Sequence, residues 1–133
     1  LRFDFVDKQE LLRRTKTFAL RSLRLVDHLP RTMSGRTIGN QLVRSATSVG
    51  ANYRAACRSR SRAEFAAKIG VVAEEADESV YWLELISEGK LLPEAKVTDL
   101  LEEANELTAI FTSARRTSTQ NQTSKFKPQT SSS

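Results

Sequence analysis

Two stretches decide the fold. The first, residues 41–54, reads Gln-Leu-Val-Arg-Ser-Ala-Thr-Ser-Val-Gly-Ala-Asn-Tyr-Arg. The second, residues 65–85, reads Phe-Ala-Ala-Lys-Ile-Gly-Val-Val-Ala-Glu-Glu-Ala-Asp-Glu-Ser-Val-Tyr-Trp-Leu-Glu-Leu. Both have helical period, and both carry polar groups beside an apolar face. Gln41, Ser45, Ser48 and Asn52 fall on one flank of the first, with Arg44 at its solvent edge. Glu75 and Glu78 stand among Val71, Trp82 and Leu85 in the second. Polar groups in such positions are costly unless satisfied, so their match across two helices predicts a partly buried ion pair, Arg44 with Glu75 or Glu78. Two other readings stay open for the same shelf: a ligand site, or a face turned to water.

The rest of the chain extends the pattern. Leu11, Thr15, Phe18, Ala19, Ser22, Leu25, Val26 and Leu29 share one face of a helix over 8–29, ended by Pro30. On that helix Arg13, Arg14, Lys16, Arg21 and Arg24 are expected on the opposite side. Ser34 is the expected N-cap of a second helix over 35–57. Ser61 and Glu64 form a capping box that opens a third helix over 62–88, with Gly89 expected at C′. Pro93 suits the first turn of a fourth helix, whose stripe runs Val97, Leu100, Leu101, Ala104, Leu107, Ile110, Phe111 and Ala114. Long helices with short links predict an all-α, antiparallel up-down-up-down four-helix bundle. The domain reading is an N-terminal extension over 1–7, the bundle over 8–117 and a polar, disordered tail over 118–133.

Charge is divided along the chain. Residues 1–68 hold 15 basic and 5 acidic side chains, net +10, whereas residues 69–117 hold 4 and 11, net −7. Opposite halves can neutralise each other, or the basic half can face nucleic acid. Arg54, Arg58, Arg60 and Arg62 surround the second interhelical turn. Arg36 joins Arg54 and Arg58 on the outer face of the second helix, and Arg13, Arg21 and Arg24 add to the basic surface. Guanidinium groups suit phosphate oxygens, but Tyr53 is the nearest ring and is expected to pack inward. Any nucleic-acid contact is therefore expected to be backbone-directed and salt-sensitive. A second seam on the second helix (Gly39, Val43, Ala46, Gly50, Cys57) predicts close helix approach. The extra stripe of Val71, Trp82 and Leu85 argues for oligomerisation.

Enzyme signatures are missing. The chain has one histidine, His28, outside any Glu-x-x-His spacing, one cysteine, Cys57, and no Gly-rich phosphate loop. No catalytic residue, metal site or cofactor is expected. The single cysteine suits a reducing cytoplasm, and the first residues lack the basic start of a signal peptide. No apolar run is long enough to span a membrane.

From Gln41 to Ser61, then through Glu64-Phe65 and Glu74 to Leu83, the sequence resembles the bacterial four-helix bundle family first noted as the product of intervening sequences in 23S ribosomal RNA genes. The resemblance covers about Leu25 to Thr117. It implies an antiparallel bundle that assembles into a homopentameric ring. Arg44, Ser45, Ser48 and Asn52 match the family's second-helix pattern, and Glu75 and Glu78 its third-helix acids. The accessory protein of diversity-generating retroelements is similar in fold, a basic pentamer that binds a reverse transcriptase and nucleic acid. Where many relatives have Glu, this chain has Arg54-Ala-Ala-Cys-Arg58, which makes its surface more basic. The expectation is a non-enzymatic oligomeric scaffold contacting RNA or an RNA-bound protein. Its alternative is a structural or protein-interaction ring that binds no nucleic acid.

Overall fold

In the computed structural model, the backbone is described for residues 3–131 and the side chains for residues 7–120. Four helices make up the described chain, with no strand among them: α1 Phe3–Val26, α2 Met33–Ala56, α3 Arg62–Glu88 and α4 Glu94–Ser131. Each helix touches its neighbours in sequence, and α1 also touches α4, closing the bundle. Phe18, Leu42, Val49, Ile69, Val72, Leu83, Ile86, Leu107 and Phe111 are fully buried along its axis. These are the apolar positions that the 3.6-residue period puts on one face of each helix. Within α1, Asp7 takes φ 84° and ψ 140°, which kinks the helix one residue before position 8. Side chains before Asp7 lie outside the described residues, as do those past Gln120. The backbone of α4 continues through the change to polar composition at Thr117.

The helix ends follow local chemistry, with three departures from the expected positions. Thr32, not Ser34, caps α2: its hydroxyl accepts from the Gly35 amide at 3.1 Å. Thr32 stands immediately before Met33 with extended backbone, whereas Ser34 already lies in the first turn. The box at Ser61 forms, with the Glu64 amide donating to the Ser61 hydroxyl at 3.1 Å. The Glu64 carboxylate reaches back one residue further, accepting from the Arg60 amide at 2.8 Å. At the end of α3, Gly89 is right-handed and Lys90 takes the left-handed turn at φ 57°. The Leu91 amide donates to Ile86 and that of Lys90 to Ser87, a Schellman arrangement with Lys90 at C′. Finally, α1 stops at Val26, three residues before the expected end, although Leu29 remains buried.

The small seam of α2 is occupied from within the chain. A Cβ at Gly39 would meet Val26 at 3.1 Å, and one at Gly50 would meet the Thr15 carbonyl at 3.4 Å. Small residues thus let α1 lie close against α2, and Thr15, itself buried, returns its hydroxyl to the Leu11 carbonyl at 2.8 Å. At Gly35 the space is closed outright, since a Cβ would sit 2.0 Å from the Pro30 carbonyl oxygen.

Alanine at these glycines separates crowding from helix propensity. Gly35→Ala must move the Pro30 backbone and should destabilise by roughly 2 kcal/mol. At Gly50 the new methyl makes ordinary contact, so Gly50→Ala should gain up to about 1 kcal/mol of helix propensity. Denaturant unfolding of both variants reads the opposite signs directly.

Candidate functional site

Two polar clasps hold the helices in register, one at α2/α3 and one at α1/α4. At the first, Arg44 Nη1 donates to Glu75 at 3.2 Å while Nη2 donates to Glu78. Trp82 Nε1 also donates to Glu78, at 3.3 Å. The pair is buried unevenly: the Arg44 side chain is 48% exposed, at the solvent edge, and that of Glu75 19%. The arginine reaches the carboxylates from the water side, where its long stem can span the two helices. Under it, Ser45 and Ser79 meet at 2.8 Å and are fully buried. Each hydroxyl also has a carbonyl of its own helix to donate to, Ser79 that of Glu75 at 3.0 Å and Ser45 that of Leu42 at 3.4 Å, so either can be the donor across the pair. Ser48 and Asn52 do not join this cluster. Asn52 instead donates to the Ser48 carbonyl of its own helix at 2.9 Å.

The second clasp was not foreseen from the sequence. Arg14, expected on the outer side of α1, donates from Nε and Nη2 to Glu103 of α4 at 3.0 and 2.7 Å, and again to Glu106 at 2.9 Å. About a fifth of each side chain of Arg14 and Glu103 is exposed. This bidentate fork is the geometry in which an arginine–carboxylate pair is strongest. The hydrogen bond to Glu103 raises the Arg14 pKa above its ordinary value, with burial opposing it. The signal was there in the spacing. Arg14 lies three residues after Leu11 and four before Phe18, and Glu103 lies likewise between Leu100 and Leu107.

The candidate binding surface is the groove between α1 and α2. It has a volume of about 650 Å³, and its cations are Lys8, Arg13 and Lys16 from α1 with Arg54 and Arg58 from α2. Its floor is small and apolar, including Leu12, Gly50 and Ala51, and no carboxylate among the described residues lines it. A second hollow of about 430 Å³ adjoins it at the α2–α3 turn, sharing Lys8 and Cys57 and adding Arg60 and Arg62. Five of the expected arginines therefore converge: Arg13, Arg54, Arg58, Arg60 and Arg62. Three do not. Arg24 and Arg36 line separate hollows beside the α3–α4 and α1–α2 links, and the half-buried Arg21 lines none of these. Lys8 and Lys16 are additions that the arginine count overlooked. Arg13 is partly engaged by Glu10 at 2.9 Å.

Tyr53 is turned into the core, 3% exposed, its ring 5.2 Å from that of Phe111. Burial, helped by the neighbouring Cys57 thiol, pushes its pKa far above the usual phenol range. Among the described residues, the groove lining thus has cations but no aromatic ring. Among the described residues, no three His, Cys, Asp or Glu side chains gather into a metal-holding group. No described helix is long and apolar enough to cross a membrane.

This is an all-α four-helix protein whose distinctive surface is a basic groove beside its clasped helices. The chain belongs to the 23S rRNA-intervening sequence protein family, whose model matches residues 7–113. The match begins some eighteen residues before the stretch that carries the resemblance in the sequence, and so takes in α1. A solved relative is similar along most of its length: a protein of unknown function from the S23 ribosomal protein family of Bacteroides thetaiotaomicron. The two share 28% identity at a TM-score of 0.74, over 81% of this chain and 96% of that one. No curated protein matches the chain.

The clasps make two measurable predictions. A double-mutant cycle on Arg14→Gln and Glu103→Gln should give a coupling of about 1 kcal/mol, and additive losses would mean that the fork contributes nothing. Glu78 is held below its ordinary pKa by the Arg44 hydrogen bond, against desolvation and with help from Trp82. A depressed carboxyl stabilises the fold fully above its unfolded pKa and loses that contribution as pH falls through the folded value. The stability difference between the native chain and Glu78→Gln should therefore be present at about pH 7 and fade below about pH 4. A difference that stays constant into acid would contradict the pairing.

Proposed function

We propose that the protein is a non-enzymatic oligomeric scaffold of the cytoplasm that contacts RNA, or an RNA-bound protein, along its basic α1/α2 groove. One observation carries this reading: five cations line a groove in which no described residue is a carboxylate, and Arg60 and Arg62 extend the row past the α2–α3 turn, beside the half-buried Phe65. Side chains of this kind attract phosphates wherever the strand lies, and the described lining of the groove holds no ring on which bases could stack. Binding is backbone-directed.

The same reading takes the bundle as antiparallel, up-down-up-down. Gly39 meets Val26 and Gly50 meets Thr15, pairs whose residue numbers run in opposite senses along α1 and α2. Links of a few residues between all four helices support the rest of that order. Assembly into a ring, pentameric by resemblance, has support in the outer face of α3. There Val71 and Tyr81 are exposed at 40% and 52% beside Glu74 and Asp77. An acidic face with apolar spots suits the basic half of another copy, and this is the observation behind a second reading, in which the groove serves assembly alone.

Serine at Arg54, Arg58, Arg60 and Arg62 tests the first reading. RNA affinity should fall, and the slope of log affinity against log salt should flatten by roughly 0.7 for each phosphate no longer neutralised. Binding unchanged by the four substitutions would remove the groove from consideration. Light scattering over the same salt series separates the readings. RNA loss with an intact oligomer supports the first, and dissociation of the oligomer without any RNA affinity supports the second.

A further inference from the structure

A third hollow lies at a different place, between the last turn of α1 and the start of α4. Its volume is about 370 Å³, and it is lined by Arg24, Leu25, His28, Leu92, Pro93 and Lys96. Leu25 and Leu92 are half-buried and pack against the core, giving an apolar base. Arg24 and Lys96 stand exposed at the rim, and neither has an ion-pair partner among the described residues. The nearest acids in sequence, Asp27 and Glu94, are outside the lining.

His28 is fixed as part of the wall. Its Nδ1 lies 2.9 Å from the Arg24 carbonyl oxygen, and a carbonyl can only accept, so Nδ1 carries the proton. The imidazole and the Pro93 pyrrolidine thus stand in the lining beside the two leucines. Such a hollow offers three things at once: an apolar base, a planar imidazole in its wall and two cations without ion-pair partners among the described residues. A phosphate alone would leave the floor unused, and a neutral hydrocarbon would leave the cations unused. Pockets of this volume hold small molecules whose few polar groups fix their orientation.

We propose that this hollow binds a compact aryl carboxylate, its ring against Leu25, Leu92, His28 and Pro93 and its carboxylate on Arg24 and Lys96. Arg24 supplies the planar fork that matches a carboxylate, and Lys96 adds a second charge from α4. Because one cation comes from α1 and the other from α4, the ligand bridges the two helices. The site is separate from the α1/α2 groove, so its failure would leave the RNA reading untouched.

The test uses 2-naphthoate as the probe on the full chain, followed by amide chemical shifts. Saturable binding is expected, with the largest shifts at Leu25, His28, Leu92 and Lys96. The double variant Arg24→Gln, Lys96→Gln changes only exposed side chains, so circular dichroism should be unaltered while affinity falls at least about tenfold. The neutral 2-naphthamide should bind at least about tenfold more weakly than the acid, and inorganic phosphate should fail to displace the probe. Several results would overturn the proposal: no saturation, shifts elsewhere in the bundle, equal binding by the double variant, equal binding of the amide, or displacement by phosphate.

Discussion

The close approach of α1 to α2 is the constraint from which the rest of the molecule follows. Gly39 and Gly50 keep the surface of α2 low where Val26 and the Thr15 backbone come against it. At Gly39 even a methyl would crowd Val26 and Leu29, whereas at Gly50 a methyl fits and only a side chain longer than alanine would press on the Thr15 backbone. Glycine in a helix interior costs helix stability, and close packing of a neighbouring helix offsets that cost. The same closeness shapes the outer surface. With a floor of glycine and alanine between them, the flanking side chains of α1 and α2 become the walls of a groove, and those walls are basic.

Closing the bundle on its other side needs a different device. Among the described residues the α1–α4 interface is the smallest of the four, so apolar packing there leaves that edge weakly determined. Arg14 spans it with a fork onto Glu103 and a third bond to Glu106. An arginine–carboxylate fork is satisfied only at one axial position, which is how a polar pair fixes register where leucines can slide. Arg44, with Glu75 and Glu78, plays the equivalent part between α2 and α3, over the buried Ser45–Ser79 bond.

The helices and their core were legible in the sequence because burial follows periodicity, and nearly every residue of the expected stripes lies in the core or against it. The Arg44 clasp was legible too, since matched polar groups on two helices announce one another. Arg14 was not, because its long stem let it count as an outer residue although its spacing puts it between Leu11 and Phe18. Lys90 was hidden for the opposite reason: a glycine stands beside it, and glycine is the usual residue for a left-handed turn. Periodicity gives the angle of a residue around its own helix. It does not give the partner that a flexible side chain will reach, and so it places arginines on a surface without sorting them into one groove or three hollows.

That sorting bears on what the charge asymmetry means. If the basic and acidic halves simply neutralised each other, the cations of α1 and α2 would be found facing the acids of α3 and α4. Only some do: Arg14 and Arg44 are engaged in this way, each on two carboxylates. Lys8, Lys16, Arg54 and Arg58 line the α1/α2 groove, and none of them has an ion-pair partner among the described residues. Gathering like charges costs repulsion, and no carboxylate among the described residues lines the groove to offset it. Water and salt screen part of that repulsion and an anionic partner would relieve more of it, which makes the groove, rather than either clasp, the first surface to test for binding.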